Sequence, residues 1–356
     1  MGLLYFVLST GQCNLRCSYC GGSFPHDKVG WEVKYDPSDL SGLLAGDEDA
    51  TVAFYGGEPL MNAPFVKKVM DTVQAKRFVI QTNGLLSYRL PKRYWMRMDA
   101  VLLSLDGREE VTDHYRGRGV YAQALKAGRD LKAKGYGGDL IARMAVSERS
   151  DIFKEVTHLS SLKLFDHIHW QIDAGWSDSW TNFDDWVERS YKPGILKLLD
   201  FWVAALGNGE VVGLVPFLGI LKRLGEGGPN PPCGSGSESY SVLPNGRVIA
   251  CPIAYDAPWA DIGKLENIKK PLPRIGVSGE CPDCELLRVC GGRCLYFNRE
   301  GFWGSEGFRK VCEITKFTIE AVSQVKGRVM DALRRADLPL EALDYPKFNN
   351  STEIIP

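Results

Sequence analysis

Three cysteines within eight residues place a strong constraint on the start of this 356-residue chain. Cys13, Cys17 and Cys20 follow the apolar run LLYFVL, which is typical of a buried strand, at the spacing C-x-x-x-C-x-x-C. A closed structural zinc site needs four ligands, and Gly-Gly-Ser-Phe-Pro separates the nearest further candidate, His26, from Cys20. Three thiolates without a fourth protein ligand fit a four-iron cluster whose last iron stays open for a substrate or cofactor. The fold must therefore hold a cluster-binding loop at the end of its first strand.

The other seven cysteines lie between residues 233 and 312, far from the first three in sequence. Pairs at the spacing C-x-x-C often bind zinc, so the spacing alone leaves one or two zinc sites open. The opening apolar run is too short for a signal peptide or a membrane-spanning helix. We therefore expect a cytoplasmic protein whose reduced thiols bind metal, rather than a disulfide framework. The seven are Cys233, Cys251, Cys281, Cys284, Cys290, Cys294 and Cys312.

The charged residues nearly balance, with 43 Lys and Arg against 44 Asp and Glu and a formal net charge of −1. A protein that binds nucleic acid or a membrane surface usually carries a basic excess, which this chain lacks. Its 44% hydrophobic and 24% charged residues are ordinary for a globular protein. The composition therefore argues against nucleic acid or a membrane as a partner.

From residue 3 to about residue 220, short apolar runs alternate with longer amphipathic segments. Several runs end in Gly, Asn, Ser or Asp, and most precede a helix-like segment, which is the rhythm of parallel βα units. About six units are present, fewer than the eight of a closed barrel. We predict an α/β fold that begins with a partial (β/α)6 TIM-type barrel over residues 1–224, with functional loops at the carboxyl ends of its strands.

A Gly/Pro/Ser-rich segment that starts at residue 225 marks the predicted end of the barrel. The stretch YSVLPNGRVIACPIA after it indicates two strands around Asn245-Gly246, which is a strong hairpin signal. We predict a small cysteine-rich domain with this hairpin over residues 225–312. A C-terminal helix to about residue 335 and an irregular tail are expected over residues 313–356.

The cysteine loop and three further motifs resemble the radical S-adenosylmethionine (SAM) enzyme family. In that family the signature C-x-x-x-C-x-Φ-C, with an aromatic residue before the third cysteine, follows the first strand. YGGEP at residues 55–59 resembles the family's GGEP motif. QTNG at 81–84 and SLDG at 104–107 stand at the ends of the third and fourth strand-like runs, as they do in the family. Each motif is weak alone, but four in this order are specific.

The resemblance implies a SAM site built on these motifs. In the family the amino and carboxylate groups of SAM chelate the open iron, and an electron from the cluster cleaves the sulfonium bond. The resulting 5′-deoxyadenosyl radical abstracts a substrate hydrogen. Arg116 and Arg143 are candidates for the SAM carboxylate, because a guanidinium can grip a carboxylate bidentately, although each could equally be structural. The other residues implied to bind the cofactor are Tyr19, Gly56, Gly57, Glu58, Pro59, Asn83, Ser104 and Asp106.

The order of the seven later cysteines, with a hairpin between the first two, resembles the SPASM extension of radical SAM enzymes that modify peptides and proteins. That extension carries two auxiliary [4Fe-4S] clusters, one outer and one inner. The implied outer set is Cys281, Cys284, Cys290 and Cys312. The implied inner set is Cys233, Cys251 and Cys294. The inner set is one thiolate short, since only serines follow Cys233 where some relatives have a further cysteine, so its last iron is either open or bound to oxygen. Those serines are Ser235, Ser237 and Ser239.

The implied reaction is a two-electron oxidation or a cross-link of a residue in a peptide or protein substrate, with the auxiliary clusters as electron acceptors. Asp173, at the end of the sixth strand-like run, is the candidate general base, although a structural aspartate fits equally well. The expected partners are the peptide and an external one-electron donor such as ferredoxin or flavodoxin. No leader-binding module fits before Cys13, so either a separate leader-peptide-binding protein supplies recognition or the substrate has no leader.

Two other interpretations stay open. A radical SAM enzyme that acts on a small molecule or on RNA shares the front motifs, but it usually has fewer cysteines at the back. An iron–sulfur electron-transfer or scaffold protein needs neither a GGEP motif nor a barrel, and it would not cleave SAM.

Overall fold

A computed structural model describes residues 2–174 and 180–345 of the chain. Contacts between residues divide the chain into two compact units. The first unit comprises Met1–Leu105, Thr112–Leu140 and Cys233–Gly276. The second unit comprises Asp106–Val111, Ile141–Pro232 and Val277–Pro356. Most of the predicted irregular tail lies outside the described residues.

Strands and helices alternate along the described residues. The strands are β1 (Leu4–Leu8), β2 (Thr51–Tyr55), β3 (Arg77–Thr82), β4 (Ala100–Ser104), β5 (Asp139–Val146), β6 (His167–Ile172), β7 (Gly213–Leu214), β8 (Ser239–Val242), β9 (Arg247–Ile249) and β10 (Asp261–Lys264). The α-helices are α1 (Asp39–Leu44), α2 (Ala63–Thr72), α3 (Lys92–Trp95), α4 (Glu109–Arg116), α5 (Val120–Ala133), α6 (Ile152–Ser161), α7 (Phe183–Trp186), α8 (Lys192–Gly207), α9 (Val215–Glu226), α10 (Leu287–Cys290), α11 (Leu295–Glu300) and α12 (Gly304–Arg335). A π-helical segment, Val187–Tyr191, joins α7 to α8.

The first unit is built on a sheet with the strand order β10-β9-β8-β1-β2-β3-β4. Its central strands run parallel, with Leu4 of β1 opposite Thr51 of β2 and Ser239 of β8. β1 is buried along its whole length, as its uninterrupted apolar sequence predicts. β8 and β9 form the predicted antiparallel hairpin, and Gly246 in its turn has a φ of +81°.

In the second unit β5, β6 and β7 pair in parallel, with Ile141 opposite His167 and His167 opposite Gly213. α8 and α12 pack against each other. The apolar side chains that α12 buries recur every three or four residues, which is the helical period. α12 begins at Gly304 rather than at residue 313, so Cys312 lies inside the helix. Gly304 and Gly307, poor helix formers, concealed this start in the sequence.

The predicted α/β fold with a parallel sheet is confirmed, and a helix follows each strand from β1 to β6. β7 and α9 form a further strand–helix pair that the sequence pattern did not reveal, because a strand of two residues has no periodicity. The hairpin belongs to the first unit because β8 pairs with β1. The domain limits at residues 224 and 312 stay predictions. Among the described helices, none has both the length and the apolar character needed to cross a membrane.

Candidate active site

The loop that carries Cys13, Cys17 and Cys20 leaves the carboxyl end of β1, and its own hydrogen bonds fix its shape. Cys13 N donates to Ser23 Oγ (2.9 Å), and Gly21 N donates to Cys17 O (2.9 Å). Cys17 is buried, while Cys13 and Cys20 are partly exposed. Burial, and to a smaller extent the nearby Glu58 and Cys20, raise the pKa of Cys13 to about 11. Cys13 and Cys20 therefore lie close together on a loop shaped by the backbone.

The two glycines of the YGGEP motif lie directly against this cysteine loop. Gly57 N donates to Thr10 O (3.1 Å), and Glu58 N donates to Gln12 O (2.8 Å). A Cβ atom at Gly57 would lie 2.4 Å from Gln12 O, and one at Gly56 would lie 2.2 Å from Thr10 O. Gly56 also has a φ of +142°, which favours glycine. Only residues without a side chain let the backbone of the motif approach the cysteine loop this closely.

The carboxylate of Glu58 is buried and accepts three hydrogen bonds. Oε1 accepts from Leu60 N (3.0 Å) and from Thr82 Oγ1 (2.7 Å), and Oε2 accepts from Asn83 N (2.8 Å). Burial raises the pKa of Glu58, and these hydrogen bonds oppose that shift. Pro59, which follows in the motif, is also buried. A cation such as an amino group beside Glu58 would favour the ionised carboxylate, so the site suits a positively charged ligand.

Asn83 of the QTNG motif connects Glu58 back to the cysteine loop. Its Nδ2 donates to Asn14 Oδ1 (2.9 Å), and its Oδ1 accepts from Leu85 N (3.0 Å). Together with the Glu58 contacts, this forms a closed ring of hydrogen bonds between three motifs. The sequence analysis missed Asn14 and Thr82, although Asn14 directly follows Cys13 in the signature.

Tyr19 and Arg116 contact each other at the cysteine loop. The Arg116 guanidinium carbon lies 5.5 Å from the centroid of the Tyr19 ring. The ring centroids of Tyr19 and Tyr115 are 5.9 Å apart. Ser18 N donates to Tyr115 O (2.9 Å), which ties the end of α4 to the loop. The structure thus brings Arg116 to the cysteine loop. Its proposed grip on the SAM carboxylate stays a prediction.

Asp106 and Arg143, in the second unit, make hydrogen bonds within the fold. The buried carboxylate of Asp106 accepts from Ala145 N (2.9 Å). Arg143, which is 8% exposed, donates to the side chain of Gln171. Ser104 is buried at the end of β4. These contacts give Asp106 and Arg143 structural roles, and the cofactor roles of all three residues stay predictions.

Asp173 follows β6 and is 6% exposed. Ser147 Oγ donates to its Oδ2 (2.9 Å), and Asp173 N donates to Val146 O (2.9 Å). Trp180 Nε1 donates to the Asp173 carbonyl oxygen (3.3 Å). Ser147, which the sequence analysis missed, stands at the end of β5 as Asp173 stands at the end of β6. The hydrogen bond from Ser147 orients the Asp173 carboxylate. The role of Asp173 as a general base stays a prediction.

The predicted outer cysteines gather in the second unit. Burial and, after it, neighbouring thiols of the same set raise the pKa values of Cys281, Cys290 and Cys312 to about 11 each. Cys284 is among the neighbours of both Cys281 and Cys312. Asn298 Nδ2 also donates to Cys281 Sγ (3.4 Å). Three thiols from residues 281–290 and a fourth from α12 therefore lie near one another.

Two of the predicted inner cysteines meet in the first unit. Burial and, after it, the nearby Cys233 raise the pKa of Cys251 to about 12. Cys233 Sγ donates to Ser235 Oγ (3.2 Å), and Ser235 also hydrogen bonds to Cys251. In the second unit Cys294 Sγ accepts from Phe297 N (3.5 Å) at the start of α11.

The thiols suit iron–sulfur clusters in chemistry and burial. None of the ten cysteines, all of which lie within the described residues, forms a disulfide bond. Among the residues the structure describes, no three His, Cys, Asp or Glu side chains converge on a single metal ion. The cysteines of a four-iron cluster bind different irons, so they need not converge on one point. A bound metal core would lower the raised thiol pKa values, because it stabilises the thiolate that ligates it.

The glycine contacts predict the effect of Gly57→Ala. The new Cβ would meet Gln12 O at 2.4 Å, so the motif and the cysteine loop must separate. We expect a lower unfolding temperature and a loss of about four irons per chain, measured by thermal unfolding and iron analysis after reconstitution. Gly42→Ala in α1 meets nothing within 4 Å and should keep both values or gain stability. Equal iron content in the two variants would contradict this account of the motif.

The sequence is similar to a known superfamily and to a group of maturases. Residues 7–146 match the Radical SAM superfamily model. Mycofactocin maturase MftC of Mycobacterium tuberculosis is 25% identical over 320 residues, which cover 80% of this chain and 76% of that protein.

Two solved structures share the fold. Native anSMEcpe with bound AdoMet and the Cp18Cys peptide has a TM-score of 0.72 at 19% identity, over 93% of this chain and 99% of that chain. Streptococcus suis SuiB bound to the precursor peptide SuiA has a TM-score of 0.55 at 14% identity, over 83% of this chain and 72% of that chain. At these identities the likeness is one of fold. Residues 7–146 therefore carry the similarity to the Radical SAM superfamily, and the sequence similarity to the mycofactocin maturases extends over 80% of the chain.

Proposed function

We propose that this enzyme cleaves SAM reductively at a [4Fe-4S] cluster and oxidises or cross-links a residue in a peptide or protein substrate. Bound to the cysteine loop, SAM and the cluster would supply a 5′-deoxyadenosyl radical that removes a hydrogen atom from the substrate. MftC is named as a maturase, and anSMEcpe and SuiB are each bound to a peptide in their solved structures. These relatives support a peptide as the substrate class.

The observation that carries the proposal is the closed ring of hydrogen bonds around the cysteine loop. Glu58 N donates to Gln12 O, Glu58 Oε2 accepts from Asn83 N, and Asn83 donates to Asn14. The ring fixes a buried carboxylate beside three thiols on one loop. A group with an amino end for Glu58 and an affinity for iron fits this arrangement, and SAM is such a group. An electron-transfer protein has no use for a fixed carboxylate at its cluster.

Arg116 is the better placed of the two arginines for the SAM carboxylate. It lies over Tyr19 at the cysteine loop, whereas the guanidinium of Arg143 donates to the side chain of Gln171. Tyr19 next to Cys20 offers a flat ring to the adenine. Tyr19 and Arg116 thus complete the cofactor end of the site.

The later cysteines support two auxiliary [4Fe-4S] clusters. The gathered set of Cys281, Cys284, Cys290 and Cys312 would hold the outer cluster. Cys233, Cys251 and Cys294 would hold the inner one. Such clusters can accept the electron that remains after hydrogen abstraction, which favours a net two-electron oxidation. A cytoplasmic location, a ferredoxin or flavodoxin as electron donor and a separate leader-binding protein complete the proposal.

A peptide assay tests the proposed function. Anaerobically reconstituted enzyme is given SAM, dithionite and, in turn, the peptides encoded by any short open reading frames that neighbour its gene. We expect 5′-deoxyadenosine to form and the peptide to lose two hydrogen atoms, both followed by mass spectrometry. The variant Cys13→Ala/Cys17→Ala/Cys20→Ala should produce neither. If SAM is cleaved but only a small molecule or an RNA changes mass, the substrate class is wrong; no SAM cleavage by iron-loaded enzyme would indicate a scaffold.

Asp173→Asn separates a general base from a structural aspartate. General base catalysis contributes roughly 10²-fold or more, so we expect peptide oxidation to fall by about that factor. SAM cleavage without peptide should stay unchanged, because Asp173 is assigned no part in it. Ser147→Ala removes the hydrogen bond to Asp173 Oδ2 and should give a smaller loss. A variant that loses stability and both activities together would make Asp173 structural.

A further inference from the structure

Arg293 occupies an unusual backbone position between Cys290 and Cys294. Its φ is +56°, and Gly291 and Gly292 before it have φ values of +65° and +76°. This left-handed region favours glycine and strains other residues. Glycine would therefore suit the backbone at position 293 better than arginine does. Strained residues of this kind cluster at functional sites, where the surrounding structure holds them.

The Arg293 side chain is held inside the second unit. It is 5% exposed, and its guanidinium carbon lies 4.9 Å from the centroid of the Phe297 ring in α11. Phe297 in turn stacks on Phe308 of α12, with ring centroids 5.6 Å apart. A cation over an aromatic face is stabilised by the ring, and here the ring itself is packed. The guanidinium is thus fixed in a buried place.

Arg293 lies close to two of the outer cysteines. Its backbone N donates to Cys290 O (3.1 Å), and Phe308, which belongs to the same aromatic stack, precedes Cys312 by one turn of α12. In keeping with this placement, the positive charge of Arg293 opposes the raised pKa of Cys290 and of Cys312. Glu280 acts on Cys312 with the opposite sign, but it is exposed to solvent, and interactions between charges are stronger in the interior than at the surface. Arg293 is therefore a buried cation beside these two cysteines.

We propose that Arg293 raises the reduction potential of the outer cluster and so makes it a better electron acceptor. This inference rests on the proposed function, because it requires a cluster on the outer cysteines. One-electron reduction adds a negative charge to the cluster, and a nearby buried cation stabilises the reduced form. In turnover that electron would come from the substrate after it has lost a hydrogen atom, and the matching proton would pass to a base.

The test is a redox titration of the reconstituted full-length protein, followed by electron paramagnetic resonance. The titration uses the Cys13→Ala/Cys17→Ala/Cys20→Ala background, which leaves only auxiliary-cluster signals. Further replacement of Cys281 and Cys312 by Ala identifies the outer cluster among these signals. Arg293→Gln removes the charge at similar size. We expect about a tenfold lower ratio of reduced to oxidised outer cluster at a fixed potential, which is about 59 mV for one electron.

Four comparisons keep the inference falsifiable. Arg293→Lys keeps the positive charge, so the reduction potential of the outer cluster should change little. Arg293→Gly relieves the backbone strain but removes the charge, so it should still lower that reduction potential. Arg288→Gln removes the same charge from an exposed residue near Cys290 and should shift the potential less. Glu280→Gln should shift it slightly upward.

An outer-cluster potential unchanged in Arg293→Gln, or shifted no more than in Arg288→Gln, overturns the inference alone. Absence of any auxiliary-cluster iron in the background protein overturns it together with the proposed auxiliary clusters. Iron analysis of the same samples separates these two outcomes.

Discussion

The close approach of the GGEP backbone to the cysteine loop is the constraint on which the candidate site depends. Because Gly56 and Gly57 have no side chains, two backbone hydrogen bonds can join the motif to Thr10 and Gln12. That contact places Glu58 beside the loop, where its carboxylate accepts hydrogen bonds from Thr82 Oγ1 and Asn83 N. Hydrogen bonds therefore join the loops that follow β1, β2 and β3 into one preorganised site. Such preorganisation spares a bound cofactor the cost of ordering its own site.

The burial of thiols is the second physical feature that shapes the candidate site. The raised pKa values of Cys13, Cys251, Cys281, Cys290 and Cys312 mean that these groups are neutral thiols at neutral pH without a metal. A metal core changes this balance by stabilising thiolates, so metal binding releases protons and stabilises the fold. The whole chain has a net charge of only −1. Local cations such as Arg116 and Arg293 therefore matter more than the overall charge.

Much of the fold and of the site was accessible from the sequence, because it rests on local patterns. Apolar runs predicted the parallel strands, and Asn-Gly predicted the hairpin. The order of the motifs predicted that Glu58 and Asn83 lie at the cysteine loop. The partners of these residues were not accessible, because the contacts of Asn14 with Asn83 and of Ser147 with Asp173 join segments far apart in sequence. SLDG illustrates the limit. Its Asp106 accepts a hydrogen bond from Ala145 N, and a Cβ at Gly107 would lie 2.4 Å from Glu155 Oε2. The motif therefore also has a structural role that no local pattern reveals.

The most direct test of the account is the iron and sulfide content of the anaerobically reconstituted protein, with electron paramagnetic resonance before and after SAM is added. Three four-iron clusters predict about twelve irons per chain, and about eight in the Cys13→Ala/Cys17→Ala/Cys20→Ala variant. A signal that shifts with SAM should vanish in that variant. About four irons together with bound zinc would contradict the account, because the later cysteines would then form structural zinc sites.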